Sequence, residues 1–465
     1  MAKAYDLIVI GSGPGGYVGA IRAAQLGLRV AVVEKDPSFG GTCLHRGCIP
    51  TKALLHTAAM LDEIRGADRF GISVDAPTLD LDGAHAYKDK VVGKNAKGIE
   101  FLFKKNKIDG LHGFGRLTGP NTVTVEKDGE VETYETRFVL LATGSVPREL
   151  PFAPCDGESV LHSDHALELR EVPSSLVVLG AGAVGCEFAS VYRSFGSEVT
   201  IVEMLPRLLP IEDEEISAEL ERSFAKRGIR ALTDARLETV ERTSGGLRLA
   251  VLQDGETRVV ETEKLLVAVG RAPVSSGIGL EALGIDVERG YIPVNEWMQT
   301  AVPNVYAIGD VVDTPWLAHV ASSEGILAAE HMAEDEGARP VDYGLVPSCT
   351  YCEPEVASVG LTESAAREAG YDVAVGKFPF SALGKAGILQ HTEGFVKVIR
   401  DTKYDEILGV HILGAHATDL IGEACVALRT EATTEELMRT MHAHPTLSEA
   451  VMEAAHAAVG HAIHF

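Results

Sequence analysis

The chain has no long hydrophobic run. Nowhere do apolar residues approach the roughly 18 in succession that a membrane-spanning helix needs. It is also short of positive charge, with 42 lysines and arginines against 67 acidic residues and a formal net charge of −25. A chain this acidic repels a phosphate backbone and an anionic membrane surface, which argues against both as partners. Only four residues precede the first strand-like run, YDLIVIG at Tyr5, too few for a signal or transit peptide. A reducing cytoplasm is therefore expected. There the seven cysteines do not build a disulfide framework, and a paired subset is catalytic. What is present is ordinary globular material: 46% apolar residues in 465 positions, enough for three or four domains at about 100–200 residues each.

The clearest internal signal is a repeat. Residues 5–34 read YDLIVIGSGPGGYVGAIRAAQLGLRVAVVE and residues 174–203 read SSLVVLGAGAVGCEFASVYRSFGSEVTIVE. Each is an apolar run, a glycine cluster, an amphipathic stretch, a second apolar run and a closing glutamate. Gly11, Gly13, Gly16 and Glu34 match Gly180, Gly182, Gly185 and Glu203 at one constant offset. The pattern predicts two βαβ units, each with a GxGxxG turn between strand and helix. The first glycine permits the tight turn, the second lets a pyrophosphate approach backbone, and the third lets helix and strand pack closely. Unpaired N–H groups and the helix dipole at that N-terminus favour the phosphate charge. The closing carboxylates can accept ribose hydroxyls. At Glu203 a 2′-phosphate would be repelled, and only Arg207 stands nearby, so NAD is expected rather than NADP.

Three further segments read as buried strands ending in turns: FVLLATGSVP at 138–147, LLVAVGR at 265–271 and PNVYAIGD at 303–310. From about residue 346 the runs ASVG, FVKVIR and ILGVHILG predict a mostly antiparallel domain, followed by helices and an alanine-rich helical tail from about Leu447.

Between the repeats lies GGTCLHRGCIPTKALL, residues 40–55, with Cys43 and Cys48 four residues apart and Pro50 opening a helical pattern. A thiol near a helix N-terminus is biased toward thiolate, and an asymmetric pair suits thiol–disulfide exchange. Near the C-terminus, HAHPTLSEAVMEA places Glu449 five residues after His444. A carboxylate on one imidazole nitrogen leaves the other to take a proton. His442, His456, His461 and His464 are rivals that spacing does not exclude.

With these segments in hand the chain resembles the two-cysteine flavoprotein disulfide reductases over essentially its whole length. GGTCLHRGCIPTKALL, ATGSVP, LLVAVGR, YAIGD, ASVGLTE and HAHPTLSE occur in that family's order. The resemblance implies an α/β fold with two Rossmann-like dinucleotide-binding domains, for FAD and NAD, and a C-terminal α+β dimerisation domain. The expected divisions are 1–148 for FAD, 149–270 for NAD, 271–345 as a central domain completing the FAD site, and 346–465 as the interface. It implies FAD on Gly11, Gly13, Gly16 and Glu34, with Thr42 and Lys52 near the flavin. Gly115, Thr143, Gly144 and Ser145 would run along the cofactor, and Asp310 and Ala318 would complete its site. NAD would lie on Gly180, Gly182, Gly185, Glu203 and Gly270, with Glu187 pairing Lys52. Cys43, Cys48, His444 and Glu449 would be catalytic, His444 serving the other subunit of a homodimer.

Within the family the chain is most similar to members that oxidise protein-bound dihydrolipoamide with NAD. Glu203, the text HPTLSE and a C-terminus, HAIHF, without a second cysteine pair carry that likeness. The implied partners are a lipoyl domain and the peripheral-subunit-binding domain of an acyltransferase, in a 2-oxo acid dehydrogenase or glycine cleavage complex. The alternatives are a glutathione-reductase-like enzyme using NAD(P)H, and a non-catalytic complex subunit. One departure from the family text is VPSCTYC at 346–352. A single CxxC cannot supply four zinc ligands, so Cys349 and Cys352 are expected as packed thiols and no metal is expected.

Overall fold

The computed structural model describes residues 4–465, which divide into two compact units. The first gathers the residues up to Ala53, His85–Arg148 and Arg271–Val341. The second gathers Leu54–Ala84, Glu149–Gly270 and Asp342–Phe465.

In the first unit the apolar runs form a sheet buried on both faces, the reason they read as continuous rather than alternating. Leu7, Ile8, Val9, Val32, Leu140 and Leu141 have no more than a trace of exposure. Strand order runs Asp109–His112, Val30–Glu34, Ala4–Ile10, Glu130–Leu141, and the short strand Val305–Ala307 also pairs with Glu130–Leu141. These neighbours are parallel, with Ile8 beside Ala31 and Val139. An antiparallel hairpin, Phe114–Gly119 and Thr122–Lys127, extends the other side of Glu130–Leu141. The helix Pro14–Gln25 crosses between the first two strands and packs on the helix Ala318–Met332. That contact is backbone on backbone: a Cβ on Gly325 would stand 2.4 Å from the Gly15 carbonyl oxygen.

The second unit repeats the topology. Ile229–Leu232, Glu198–Val202, Ser175–Leu179, Lys264–Val267 and Val160–Leu161 form a parallel sheet in the corresponding order. A three-stranded antiparallel sheet, residues 235–262, follows. The predicted antiparallel domain is a five-stranded sheet ordered Ser348–Thr350, Glu355–Gly360, Ile407–Gly414, Phe395–Asp401, Val373–Pro379. The helices Ala417–Arg429 and Glu449–Ala458 pack on it through small residues such as Ala424, Ala450 and Ala454, all fully buried. Among the described residues no helix is long and apolar enough to cross a membrane.

Candidate active site

The cysteines come together by local chain geometry. Cys43 lies in the one-turn helix Gly41–His45 and Cys48 is the first residue of the helix Cys48–Arg65. Gly47 closes the turn between them, where a Cβ would stand 3.1 Å from the Thr42 carbonyl oxygen. Thr51 then donates its N–H and hydroxyl to the Gly47 carbonyl, at 3.1 and 2.6 Å, starting the helix. A side-chain hydrogen bond joins Cys43 to Cys48. That bond, then burial and the Cys48 charge, push the Cys43 thiol far above its usual range, against the pull of the Lys52 ammonium. Lys52 and Cys43 therefore share one electrostatic neighbourhood. Tyr17 belongs to it as well, its phenol raised by burial and then by the Cys43 charge.

This dithiol stands against the first nucleotide turn. Gly41, with φ 63°, lies so close that a Cβ would be 2.6 Å from the Gly13 Cα. Gly11 has φ 102° and a Cβ there would meet the Ala142 carbonyl oxygen at 2.2 Å; one on Gly16 would meet the Gly11 oxygen at 2.0 Å. Gly13 differs: its missing Cβ faces open space, and it caps the helix Pro14–Gln25 without any side-chain hydrogen bond. An uncapped helix N-terminus beside that open space fits a pyrophosphate. Glu34, buried, accepts the Ser12 N–H and hydroxyl on Oε2, at 3.1 and 2.5 Å, and the Asp36 N–H on Oε1 at 2.9 Å.

The same unit brings the remaining first-site residues into register. The Thr143 hydroxyl donates to the Val274 carbonyl at 2.6 Å, and the Val274 N–H to the Gly144 carbonyl at 2.9 Å. The Ser145 hydroxyl donates to Asp310 at 2.5 Å. Gly115 sits on Val33 and Ile10, whose side chains a Cβ would press at 3.0 and 3.2 Å, and Ala318 begins its helix. Thr42 lies beside Cys43 in the short helix.

In the second unit Gly180 (φ 103°) and Gly185 repeat the close contacts, at 2.5 Å from Ala268 O and 2.0 Å from Gly180 O. Gly182 repeats the open, uncapped helix start, and Gly270 (φ 101°) also faces open space. Glu203 accepts the Ala181 N–H at 2.6 Å and the Leu205 N–H at 2.8 Å. Glu187 is buried and accepts the Tyr351 N–H at 3.0 Å.

The His–Glu pair forms as spaced. His444 Nδ1 lies 2.9 Å from Glu449 Oε1, while Glu449 Oε2 accepts the Thr446 N–H at 2.8 Å. Glu449 is held below its usual range despite the opposing effect of burial, by the Thr446 N–H and then the His444 ring. The His444 side chain is 78% exposed, so Nε2 is available to a proton donor. His442 is different, with both nitrogens engaged. His464 pairs with Glu453 at 2.6 Å. Cys352 is buried, which pushes its thiol well up, and donates to the Pro354 carbonyl at 3.2 Å. Cys349 packs against the hydrophobic core of the C-terminal five-stranded sheet and its helices. Among the described residues no group of three or more His, Cys, Asp or Glu could hold a metal.

Several residues escaped sequence reasoning. Ser12 sits inside the first fingerprint and Tyr17 directly after it, yet only the fold turns them onto Glu34 and Cys43. Arg271 donates from Nε to the Ser145 hydroxyl and from Nη2 to its carbonyl, both at 2.7 Å; the run LLVAVGR that ends on it was the available signal. Glu324, fully buried, accepts the Gly309 N–H at 2.7 Å and had no signal.

Two nucleotide cradles with a dithiol against the first define an oxidoreductase that couples a dinucleotide to a thiol–disulfide pair. The Pyridine nucleotide-disulphide oxidoreductase family matches residues 5–325, and its dimerisation domain matches residues 346–455. The chain belongs to that family, and its cofactors are FAD and NAD. It is 48% identical to the dihydrolipoyl dehydrogenase of Bacillus subtilis over the full length of both chains. It is 47% identical to that of Thermus scotoductus, over 99% of each. Among solved structures, LpdA from Mycobacterium tuberculosis matches with a TM-score of 0.91 at 30% identity, over 97% of this chain and 99% of that one.

Proposed function

We propose that the chain catalyses the dihydrolipoyl dehydrogenase reaction, oxidising protein-bound dihydrolipoamide to lipoamide and reducing NAD to NADH. The observation that carries this is the hydrogen-bonded Cys43–Cys48 pair against the first nucleotide turn, in a chain similar to dihydrolipoyl dehydrogenases over its full length.

FAD would be held by Gly11, Gly13, Gly16 and Glu34, and by the Thr143–Ser145 segment with Asp310. NAD would be held by Gly180, Gly182, Gly185 and Glu203. The chain's changes of unit after Arg148 and Gly270 support reading 1–148 as the FAD domain and 149–270 as the NAD domain. Residues 54–84 depart from that division, and 271–341 return to the first unit; 271–345 are read as completing the first site and 346–465, where the dimerisation family matches 346–455, as the interface. FAD, when bound, supplies the two-electron relay between thiols and nicotinamide.

The protein's share is positioning and proton control. In the disulfide form, His444 of the partner subunit takes a proton from a substrate thiol at Nε2, with Glu449 holding its other nitrogen. The substrate thiolate attacks Cys43 Sγ, breaking the Cys43–Cys48 bond and releasing Cys48 as thiolate. The second substrate thiol then displaces Cys43, forming lipoamide and leaving both cysteines reduced. Two electrons have moved from substrate to the pair. Lys52, close enough to act on Cys43, favours the thiolate charge. The lipoyl domain brings the substrate, and a peripheral-subunit-binding domain of an acyltransferase docks the dimer. A reducing cytoplasm suits a chain whose cysteines serve exchange.

The test is absorbance at the NADH band with dihydrolipoamide and NAD, against NADPH consumption with glutathione disulfide. Turnover is expected only with the first pair. Cys48→Ser should stay yellow and inert, and turnover retained by that variant would sink the scheme. His444→Ala should slow thiol oxidation by about 10²–10⁴-fold.

A further inference from the structure

The loop that bears His444 carries a second imidazole with an unusual pair of partners. His442 Nδ1 lies 2.8 Å from the Thr440 carbonyl oxygen, and Nε2 lies 2.6 Å from Glu423 Oε1 on the helix Ala417–Arg429. A carbonyl oxygen and a carboxylate only accept. Both contacts are satisfied together only by a ring with a proton on each nitrogen, and this side chain is only 5% exposed. His444, two residues on, has the opposite setting: one nitrogen on Glu449, the rest of the ring in the open.

We propose that His442, clamped between Thr440 and Glu423, is a positioning residue for the reaction: a fixed imidazolium that anchors the loop carrying His444 and sets the charge beside the His444–Glu449 pair. This rests on His444 being the base of the preceding section. Glu423 faces the ring from the helix Ala417–Arg429. The helix Glu449–Ala458 brings up Glu449, on which the His442 charge acts. From the helix Thr434–Arg439, Arg439 and Glu435 pair with each other at 2.7 Å in solvent. A cation here adds, behind the Thr446 N–H and the His444 ring, to the pull that holds Glu449 low, and it opposes a second positive charge on His444. Nε2 thereby stays ready to take the substrate proton at a lower pH than it otherwise would.

The sign of the test follows. His442→Gln removes the positive charge and leaves Glu423 ionised, so His444 takes a proton more readily. A base must be unprotonated to act. The acid limb of the kcat/KM profile for dihydrolipoamide should therefore move to higher pH, by about one unit. Below that limb the variant should run about tenfold slower than the parent, with the alkaline plateau nearly kept. His442→Lys, which restores a cation, should return the limb toward the parent position. A fall in rate at every pH with the limb unmoved means that His442 only braces the loop, and overturns the proposal. Should His442→Gln fail to fold, imidazole nitrogen NMR of the unmutated holoenzyme reads the same property. Two protonated nitrogens on His442 through the pH range in which His444 titrates support the proposal, and a singly protonated ring overturns it. His444→Ala is run in parallel. If that variant stays within threefold of the parent, the base assignment itself has failed; if it loses activity while the His442→Gln limb stays put, only this proposal has.

Discussion

At the residue after the leading glycine the two βαβ repeats differ by one hydroxyl, Ser12 against Ala181. Their glycines are superposable in function: φ 102° and 103° at the first, open space at the second, and a 2.0 Å approach at the third. In the first copy Ser12 follows the leading glycine. Its hydroxyl donates to Glu34 and accepts the Gly40 N–H at 2.9 Å, tying the turn to the cysteine segment. The second copy has Ala181 there, and Glu203 Oε2 accepts only a backbone N–H. One carboxylate is thus locked into its surroundings and the other keeps spare acceptor capacity at the rim of an open cradle. That contrast suits a resident cofactor in the first site and an exchanging one in the second.

The largest expected effect tests whether the copies serve different nucleotides. Gly11→Ala drives a methyl into the Ala142 carbonyl in a left-handed conformation, and should give a colourless, inactive protein. Gly180→Ala makes the matching clash with Ala268. It should leave the protein yellow and reducible by dihydrolipoamide, while NAD turnover drops by about 10²-fold. Visible absorbance and anaerobic reduction read both; loss of flavin from Gly180→Ala would break the assignment. A smaller effect is expected at the closing acids. Glu203→Gln removes the repulsion on a 2′-phosphate and should raise NADP use relative to NAD by about tenfold, or about 1.4 kcal/mol. Glu34→Gln should leave that ratio alone, as steady-state kinetics with both coenzymes would measure. The smallest exchanges the hydroxyl itself. Ser12→Ala should weaken flavin retention by about 1 kcal/mol, seen as earlier release in a urea titration. Ala181→Ser, which occupies an acceptor site on Glu203, should weaken NAD binding by a similar or smaller amount in calorimetry.

The legible parts were those with a short repeat in the chain. Both βαβ units, the helix beginning at Cys48 and the antiparallel C-terminal sheet follow from periods, glycine clusters and spacings of a few residues, whereas spacing only offered the His444–Glu449 pair among rival histidines. Cys43 and Cys48 could be paired on paper because one turn of chain separates them. The division into two units was less open to reading. Residues 271–341 return to the first unit and 54–84 leave it, and no local composition marks either change.

Composition, patterning and spacing therefore determined the fold class and the two glycine turns and set Cys43 and Cys48 one turn of chain apart, because backbone geometry near a glycine turn or a helix start is a local property. The tertiary structure alone decided which polar groups meet across distance. Arg271 reaches Ser145 from 126 residues away, Ser145 reaches Asp310 across 165, and Glu423 is laid beside His442 by the packing of a separate helix. A hydrogen bond needs its partners within about 3 Å in the right direction. That condition is met only when sheets and helices have packed, and it leaves no periodic trace in the chain beforehand.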